Sequence, residues 1–246
     1  MAIPEAQLET WSHQGSVQQS RDTYATVKRS LEANDTKYAD KSFDVFLQGS
    51  YGNDTNVYAE SDVDVVIRTD SIYYYDTSAL NPQELQIFHA SFTAATYTYG
   101  DYKNQVVQGL LKSFGQNFVK TGEKAVKIQA NGNRRSSDVV VATEFRRYYS
   151  GPLGPLYVPG ICLFTPAGKR ISNYPKQHSA NLTAKHQVTF QWFKPMVRIL
   201  KNMRTRLIDG GVLAAGSAPS YFIEGLLYNA QTTSSVPRMK ILLWHL

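Results

Sequence analysis

Apolar residues recur at two different spacings along this chain, and the changes between them mark out its elements. Over residues 5–33, Leu8, Trp11, Gly15, Tyr24, Val27 and Leu31 fall mostly three and four apart with polar residues between, which predicts one long helix. Asp44 to Leu47 is a short apolar run that predicts a strand ending at Gly49-Ser50, and Gly52 to Asn56 has the composition of a loop. From Ser61 to Arg68 the period becomes two, with Val63, Val65 and Ile67 on one side and Asp62 and Asp64 on the other. Tyr73 to Asn81 is polar and aromatic and reads as loop, followed by helical spacing over Gln83–Ala95 and Tyr102–Phe118. Ala125–Ala130, the turn Asn131-Gly132-Asn133 and Asp138–Thr143 read as a β-hairpin.

Ser150 to Gly160 holds three glycines and three prolines, which predicts an irregular passage into a mostly helical half. Phe190 to Leu207 predicts an amphipathic helix with Phe193, Val197 and Leu200 on its buried side. Pro195 suits a first turn and places the regular start near Lys194. Gly210 to Pro219 is a loop, and Ser220 is placed as the N-cap of a helix through Asn229, with Glu224 near its first turn. Strands followed by helices in this order predict an α+β catalytic module packed against a helical one, with a ligand cleft between them. The expected divisions are an N-terminal helix over residues 1–38, a catalytic core over 39–160 and a mostly helical lobe over 161–246.

Composition narrows the class. The 246 residues suffice for one large or two small domains, and 42% hydrophobic with 19% charged residues is an ordinary globular balance. The net charge of +6 is compatible with nucleotide or nucleic-acid ligands, and its clustering near Arg134–Arg147 and Lys194–Arg206 is more informative than its size. One cysteine, Cys162, excludes an internal disulfide and a thiolate zinc site, and makes a reducing cytoplasm the simplest compartment. The N-terminus lacks a basic region followed by an apolar core, and no apolar run approaches the roughly 20 residues that span a bilayer.

The chemistry concentrates at Gly49-Ser50 and Asp62-Val63-Asp64. Two carboxylates on one strand face repel each other unless a cation lies between them, and a hard divalent cation such as Mg²⁺ also binds phosphates. The Gly-Ser turn offers backbone N–H groups and a hydroxyl to a triphosphate tail. Each carboxylate alone also fits turn or hairpin-end chemistry. Jointly, Gly49-Ser50, eleven intervening residues and Asp62-Val63-Asp64 resemble the signature of the polymerase-beta-like nucleotidyltransferases. That resemblance implies a third carboxylate on a later strand, and Asp138, heading the run Asp138-Val-Val-Val-Ala142, supplies it.

The likeness extends further. Asp138–Tyr148, Asn173-Tyr-Pro-Lys-Gln-His178, Val197-Arg-Ile-Leu-Lys-Asn202 and Pro219–Asn229 resemble the bacterial cGAS/DncV-like nucleotidyltransferases, the second-messenger synthases of CBASS antiphage operons. The resemblance implies a mixed sheet with flanking helices, a helical lobe and a long N-terminal helix. It also implies template-independent joining of nucleoside triphosphates (ATP, GTP or pyrimidine) into a cyclic di- or trinucleotide, with two Mg²⁺ or Mn²⁺ ions and loss of pyrophosphate. On that reading Asp62 and Asp64 bridge both ions, and Asp138 binds one and orients or deprotonates the acceptor hydroxyl. Gly49 and Ser50 hold the β- and γ-phosphates, and Gln48 either joins them or pairs with backbone at the strand end.

Lys194, Arg198 and Lys201 lie on one helix face; charge alone makes that face a solvated one, while the resemblance draws Lys194 and Lys201 to the triphosphate. Ser220 and Tyr221 are further nucleotide-binding candidates, and Tyr51, like Tyr221, suits either a base or a packed aromatic site. Arg134, Arg135, Arg146 and Arg147 suit phosphate contacts or exposed hairpin positions, and His178 and His186 lack metal-ligand spacing. Expected partners are a nucleotide-activated effector downstream and a regulatory protein, with no membrane. Competing classes are a nucleotidyltransferase that modifies a protein or tRNA and an inactive nucleotide-binding scaffold; a scaffold has no need of all three aspartates. Sensing of double-stranded DNA through a zinc thumb does not fit a single cysteine. Such proteins usually run further past the Ser220 motif. The apolar stretch Met239–Leu246 reads as an interrupted helix, so the helical lobe is expected to be short, truncated or completed by a partner chain.

Overall fold

A computed structural model describes residues 3–15, 17–57 and 62–231. The chain forms two compact units, one of residues 13–181 and one of residues 1–12 with 182–246. These divisions fall elsewhere than residues 38 and 160, because the start of the chain belongs with its helical end. The expected strand start at Ser61 and the apolar stretch 239–246 lie outside the described residues. Among the described residues no helix is long and apolar enough to cross a membrane.

Where one helix was expected over 5–33 there are two, α1 (Glu5–Ser12) and α2 (Val17–Leu31). Between them Gly15 N–H donates to the Asn56 carbonyl at 3.3 Å and Gln14 Nε2 donates to Asn56 Oδ1 at 3.2 Å. The chain leaves helical hydrogen bonding beside glycine, which has the poorest helix propensity after proline.

The larger unit continues with β1 (Phe43–Leu47), the single turn α3 (Gly49–Gly52) and β2 (Val63–Ala79). Then follow α4 (Pro82–Ser91), α5 (Tyr99–Phe114), β3 (Val119–Thr121), β4 (Val126–Ile128) and β5 (Ser137–Gly151). β6 (Gly154–Phe164) and β7 (Arg170–Asn173) complete the sheet. Strand order is β1-β2-β5-β4-β3, with β6 on β5 and β7 on β6. β2 and β5 run parallel, and the other pairs are antiparallel. Alternation sends Val63, Val65, Ile67, Val139 and Val141 to one face, where Val27 and Leu31 of α2 and Tyr102, Val106 and Leu110 of α5 cover them. Val66, Val140 and Ala142 face the other way and pack with Ile161 and Leu163.

Two expectations are corrected here. Tyr73 to Ala79 is strand, not loop: β2 continues along β5 after a register shift between Thr69 and Tyr73. Aromatic packing replaces simple alternation there, with Tyr75 edge-on to Phe88 at 4.7 Å and Arg146 over Tyr73 at 3.9 Å. Ser150 to Gly160 is not irregular but forms a hairpin, with Gly151 paired to Gly154 across its tip. Its prolines are accommodated because β6 pairs only with β5 until Ile161, and strands accept proline at an edge.

The helix α6 (Pro175–Val188), not anticipated, runs across the division between the units. The helical unit then holds α7 (Phe193–Asp209) and α8 (Ser220–Asn229). Leu8 of α1 packs with Leu182, Phe193, Met196, Val197, Ile199, Ile223 and Leu227 to form its core. Pro195 does fall in the first turn of α7, whereas Pro219, not Ser220, is the N-cap of α8.

Candidate active site

The ends of β1 and β4 and the heads of β2 and β5 converge on the sequence motif. Leu47 pairs with Val65, and Gln48 N–H donates to the Asp64 carbonyl at 3.0 Å. Gly49 then turns the chain with φ +66°, and a Cβ at that position would lie 2.1 Å from Asp64 Oδ2. The Gly49 backbone therefore lies directly against the Asp64 carboxylate, in a conformation that favours glycine. In the parallel pair Asp64 is opposite Asp138, and in the antiparallel pair Asp138 is opposite Lys127. Val63, Val65, Val139, Val126 and Ile128 point into the core beneath. Alternation then sends Asp62, Asp64, Asp138 and Lys127 to the opposite face, in one row across three strands.

Hydrogen bonds give the row its electrostatics. Ser136 Oγ donates to Asp62 Oδ1, and Lys127 Nζ donates to Asp62 Oδ2 at 2.9 Å. Burial pushes the Asp62 carboxyl up, but the bonds from Ser136 and Lys127 and the nearby charges of Lys127 and Arg135 together hold it below the usual range. Asp138 shifts the other way: burial raises it, Lys127 opposes the rise, and Asp62 adds to it. Lys127 is itself raised, by its hydrogen bond to Asp62 and by the charges of Asp62 and Asp138. Three carboxylates on neighbouring strand ends are hard oxygen donors of the kind that suits Mg²⁺ or Mn²⁺. Among the described residues no three His, Cys, Asp or Glu side chains already surround a point that an ion could take. Asp62 is instead engaged by Ser136 and Lys127. The donor set is of the kind that fits a divalent cation.

The remaining candidates separate by location. Ser50 lies in α3, where its carbonyl accepts from Thr55 N–H at 2.9 Å, and the Gln48 backbone N–H is the one paired with Asp64. Tyr51 packs against the sheet core and donates to the Val17 carbonyl at 3.4 Å. Lys194, Lys201, Ser220 and Tyr221 belong to the helical unit. The basic stripe on α7 is buried rather than solvated. Lys201 is 0% exposed, with Nζ 3.1 Å from Glu224 Oε1 of α8, and Arg198 Nε donates to the Ser12 carbonyl at the C-terminal end of α1. Cations suit such an end because its carbonyls carry partial negative charge. Ser220 Oγ accepts from Arg204 Nη1 at 3.5 Å, while Tyr221 is 71% exposed.

His186 Nδ1 accepts from Lys194 N–H at 3.3 Å. Arg134 stacks on Phe114 at 4.6 Å and donates to the Gln129 carbonyl. Lys127 escaped notice in the sequence. Its only signal is the alternation Val126-Lys127-Ile128, and placing it opposite Asp138 requires the register across the hairpin.

A mixed sheet that sets a glycine turn against paired carboxylates, with a third carboxylate on the parallel neighbour, defines a nucleotidyltransferase core. Comparison with known proteins agrees. The family model for the cGAS/DncV-like nucleotidyltransferase C-terminal helical domain matches residues 180–236. The chain is 36% identical over 234 residues to the cyclic nucleotide synthase CdnE01 of Staphylococcus haemolyticus, covering 93% of this chain and 77% of that one. It is also 36% identical over 231 residues to the cyclic UMP-AMP synthase of Rhodothermus marinus, with the same coverages of 93% and 77%. The solved structure of the Rhodothermus marinus CdnE c-UMP-AMP synthase with Apcpp and Upnpp matches with a TM-score of 0.81 at 35% identity, over 94% of this chain and 76% of that one. The Elizabethkingia meningoseptica CdnE cyclic dinucleotide synthase with GTP and Apcpp matches with a TM-score of 0.73 at 31% identity, over 93% and 76%. The chain belongs to the cGAS/DncV-like nucleotidyltransferase family and is an enzyme of the nucleotidyltransferase class.

Proposed function

We propose that this enzyme joins nucleoside triphosphates, without a template, into a cyclic di- or trinucleotide messenger, and that it does so in bacterial antiphage defence. The carboxylate row set against the Gly49 turn carries this reading. Support for the substrates comes from relatives whose structures hold Apcpp with Upnpp, or GTP with Apcpp. Asp62, Asp64 and Asp138 would hold two Mg²⁺ or Mn²⁺ ions, which supply charge neutralisation on the triphosphate and a more acidic acceptor hydroxyl. Gly49 and Ser50, with Gln48, hold the β- and γ-phosphates. Asp138 takes the proton of the acceptor 3′- or 2′-hydroxyl. That oxygen bonds to the α-phosphorus while the α-phosphorus–oxygen bond to the β-phosphate breaks, and pyrophosphate leaves. A second transfer within the linear product closes the ring. Positioning and charge carry the rate, since the protein forms no covalent bond of its own.

The test is incubation of the purified protein with all four labelled nucleoside triphosphates and Mg²⁺ or Mn²⁺, then phosphatase treatment and mass spectrometry. A phosphatase-resistant cyclic product is expected, and Asp64→Asn or Asp138→Asn should lower its formation by at least about a hundredfold while the protein stays folded. Wild-type turnover in both folded variants would remove the carboxylates from the chemistry. Label appearing instead on a protein or tRNA acceptor would replace the cyclase reading.

A further inference from the structure

The row contains one group, Lys127, to which the proposed transfer assigns no role. Lys127 is fixed on the carboxylate face by its neighbours, because Val126 and Ile128 on either side are buried in the core. Its backbone is opposite Asp138, and its ammonium reaches past that residue to Asp62 Oδ2 at 2.9 Å. It thereby ties together the first and third strands of the row. The side chain remains 48% exposed, so its long flexible stem is able to swing away. An isolated surface pair of this kind is worth at most about 1 kcal/mol to the fold. Its placement among three carboxylates that would receive an ion gives it another consequence.

We infer that Lys127 is a positioning residue that acts as a tethered cation, holding Asp62 beside Asp138 until a divalent ion takes its place. The inference rests on the reading of Asp62, Asp64 and Asp138 as metal ligands. While Lys127 is bound to Asp62, mutual repulsion within the row is damped and the carboxylates stay on their strand ends. An arriving ion must separate Lys127 from Asp62 and meets one positive charge already present. The lysine therefore weakens binding of the ion alone and keeps the carboxylates arranged for an ion that arrives with a triphosphate, whose own negative charge offsets the ammonium.

Mn²⁺ binding to the whole protein, followed by the electron paramagnetic resonance signal of the free ion, tests this without reference to turnover. At low salt and without nucleotide, Lys127→Gln should bind Mn²⁺ roughly three- to tenfold more tightly than wild type, since one nearby repelling charge is gone. Lys127→Arg should behave as wild type, and the difference should shrink as KCl is raised, because a half-exposed charge is screened. Equal or weaker Mn²⁺ binding by Lys127→Gln overturns the inference and leaves the carboxylate site standing. No Mn²⁺ uptake by any of the three proteins, even with a non-hydrolysable nucleoside triphosphate, overturns the metal reading and the inference with it.

Discussion

A methyl group at position 49 has nowhere to go. It would overlap the Asp64 carboxylate, with its carbon 2.1 Å from Oδ2, and it would sit on a backbone at φ +66°. Gly49→Ala should therefore cost about 1–2 kcal/mol of stability from backbone conformation alone, and should reduce nucleotidyl transfer further by displacing Asp64. Denaturant unfolding together with the product assay separates the two effects; a variant that keeps both stability and turnover would refute the close approach. The Gly-Ser pair and the aspartates were visible in the sequence because their spacing along the chain is itself the signal. Lys127 was not, because it lies opposite Asp138 only through the pairing of β4 with β5, and that register depends on the conformation the connecting segment adopts once folded.

At the scale of elements, α7 shows how charge patterning misleads. Lys194, Arg198 and Lys201 resemble a solvated stripe, yet all three are buried. Arg198 and Asn202 bond the carbonyls of Ser12 and Trp11 at the end of α1, and Lys201 pairs with Glu224 of α8. A buried ion pair is costly to break from one side, since the remaining charge is left in a poor solvent. Lys201→Met should destabilise the protein by about 3–5 kcal/mol, and Lys201→Met with Glu224→Leu should recover most of that loss. Equilibrium unfolding of the two variants measures this, and a single substitution costing less than about 1 kcal/mol would show that the pair does not hold α7 to α8. The same lesson appears in β2, where a stretch of tyrosines without alternation reads as loop until ring packing against Phe88 and Arg146 is known.

At the scale of the molecule, the N-terminal helix belongs to the unit built mainly from the C-terminal part of the chain. Leu8 enters the core of that unit, with Ile3 and Trp11 packed against it. Deleting residues 1–12 should therefore lower amide hydrogen-exchange protection in α7 and α8 while leaving β2 and β5 protected, a pattern read by exchange mass spectrometry. Loss of protection first in β2 and β5 would contradict the division. The sequence by itself determined the α+β class, the carboxylate strand with its glycine turn, the hairpin that carries Asp138 and the family. These depend on spacing along the chain, which folding does not alter. Only the tertiary structure decided that α1 and α2 are separate, that the α7 cations are buried and paired, that β5 and β6 form a long hairpin, and that a lysine joins the three aspartates. Those features depend on partners distant in sequence, and burial and register exist only once the strands and helices have packed.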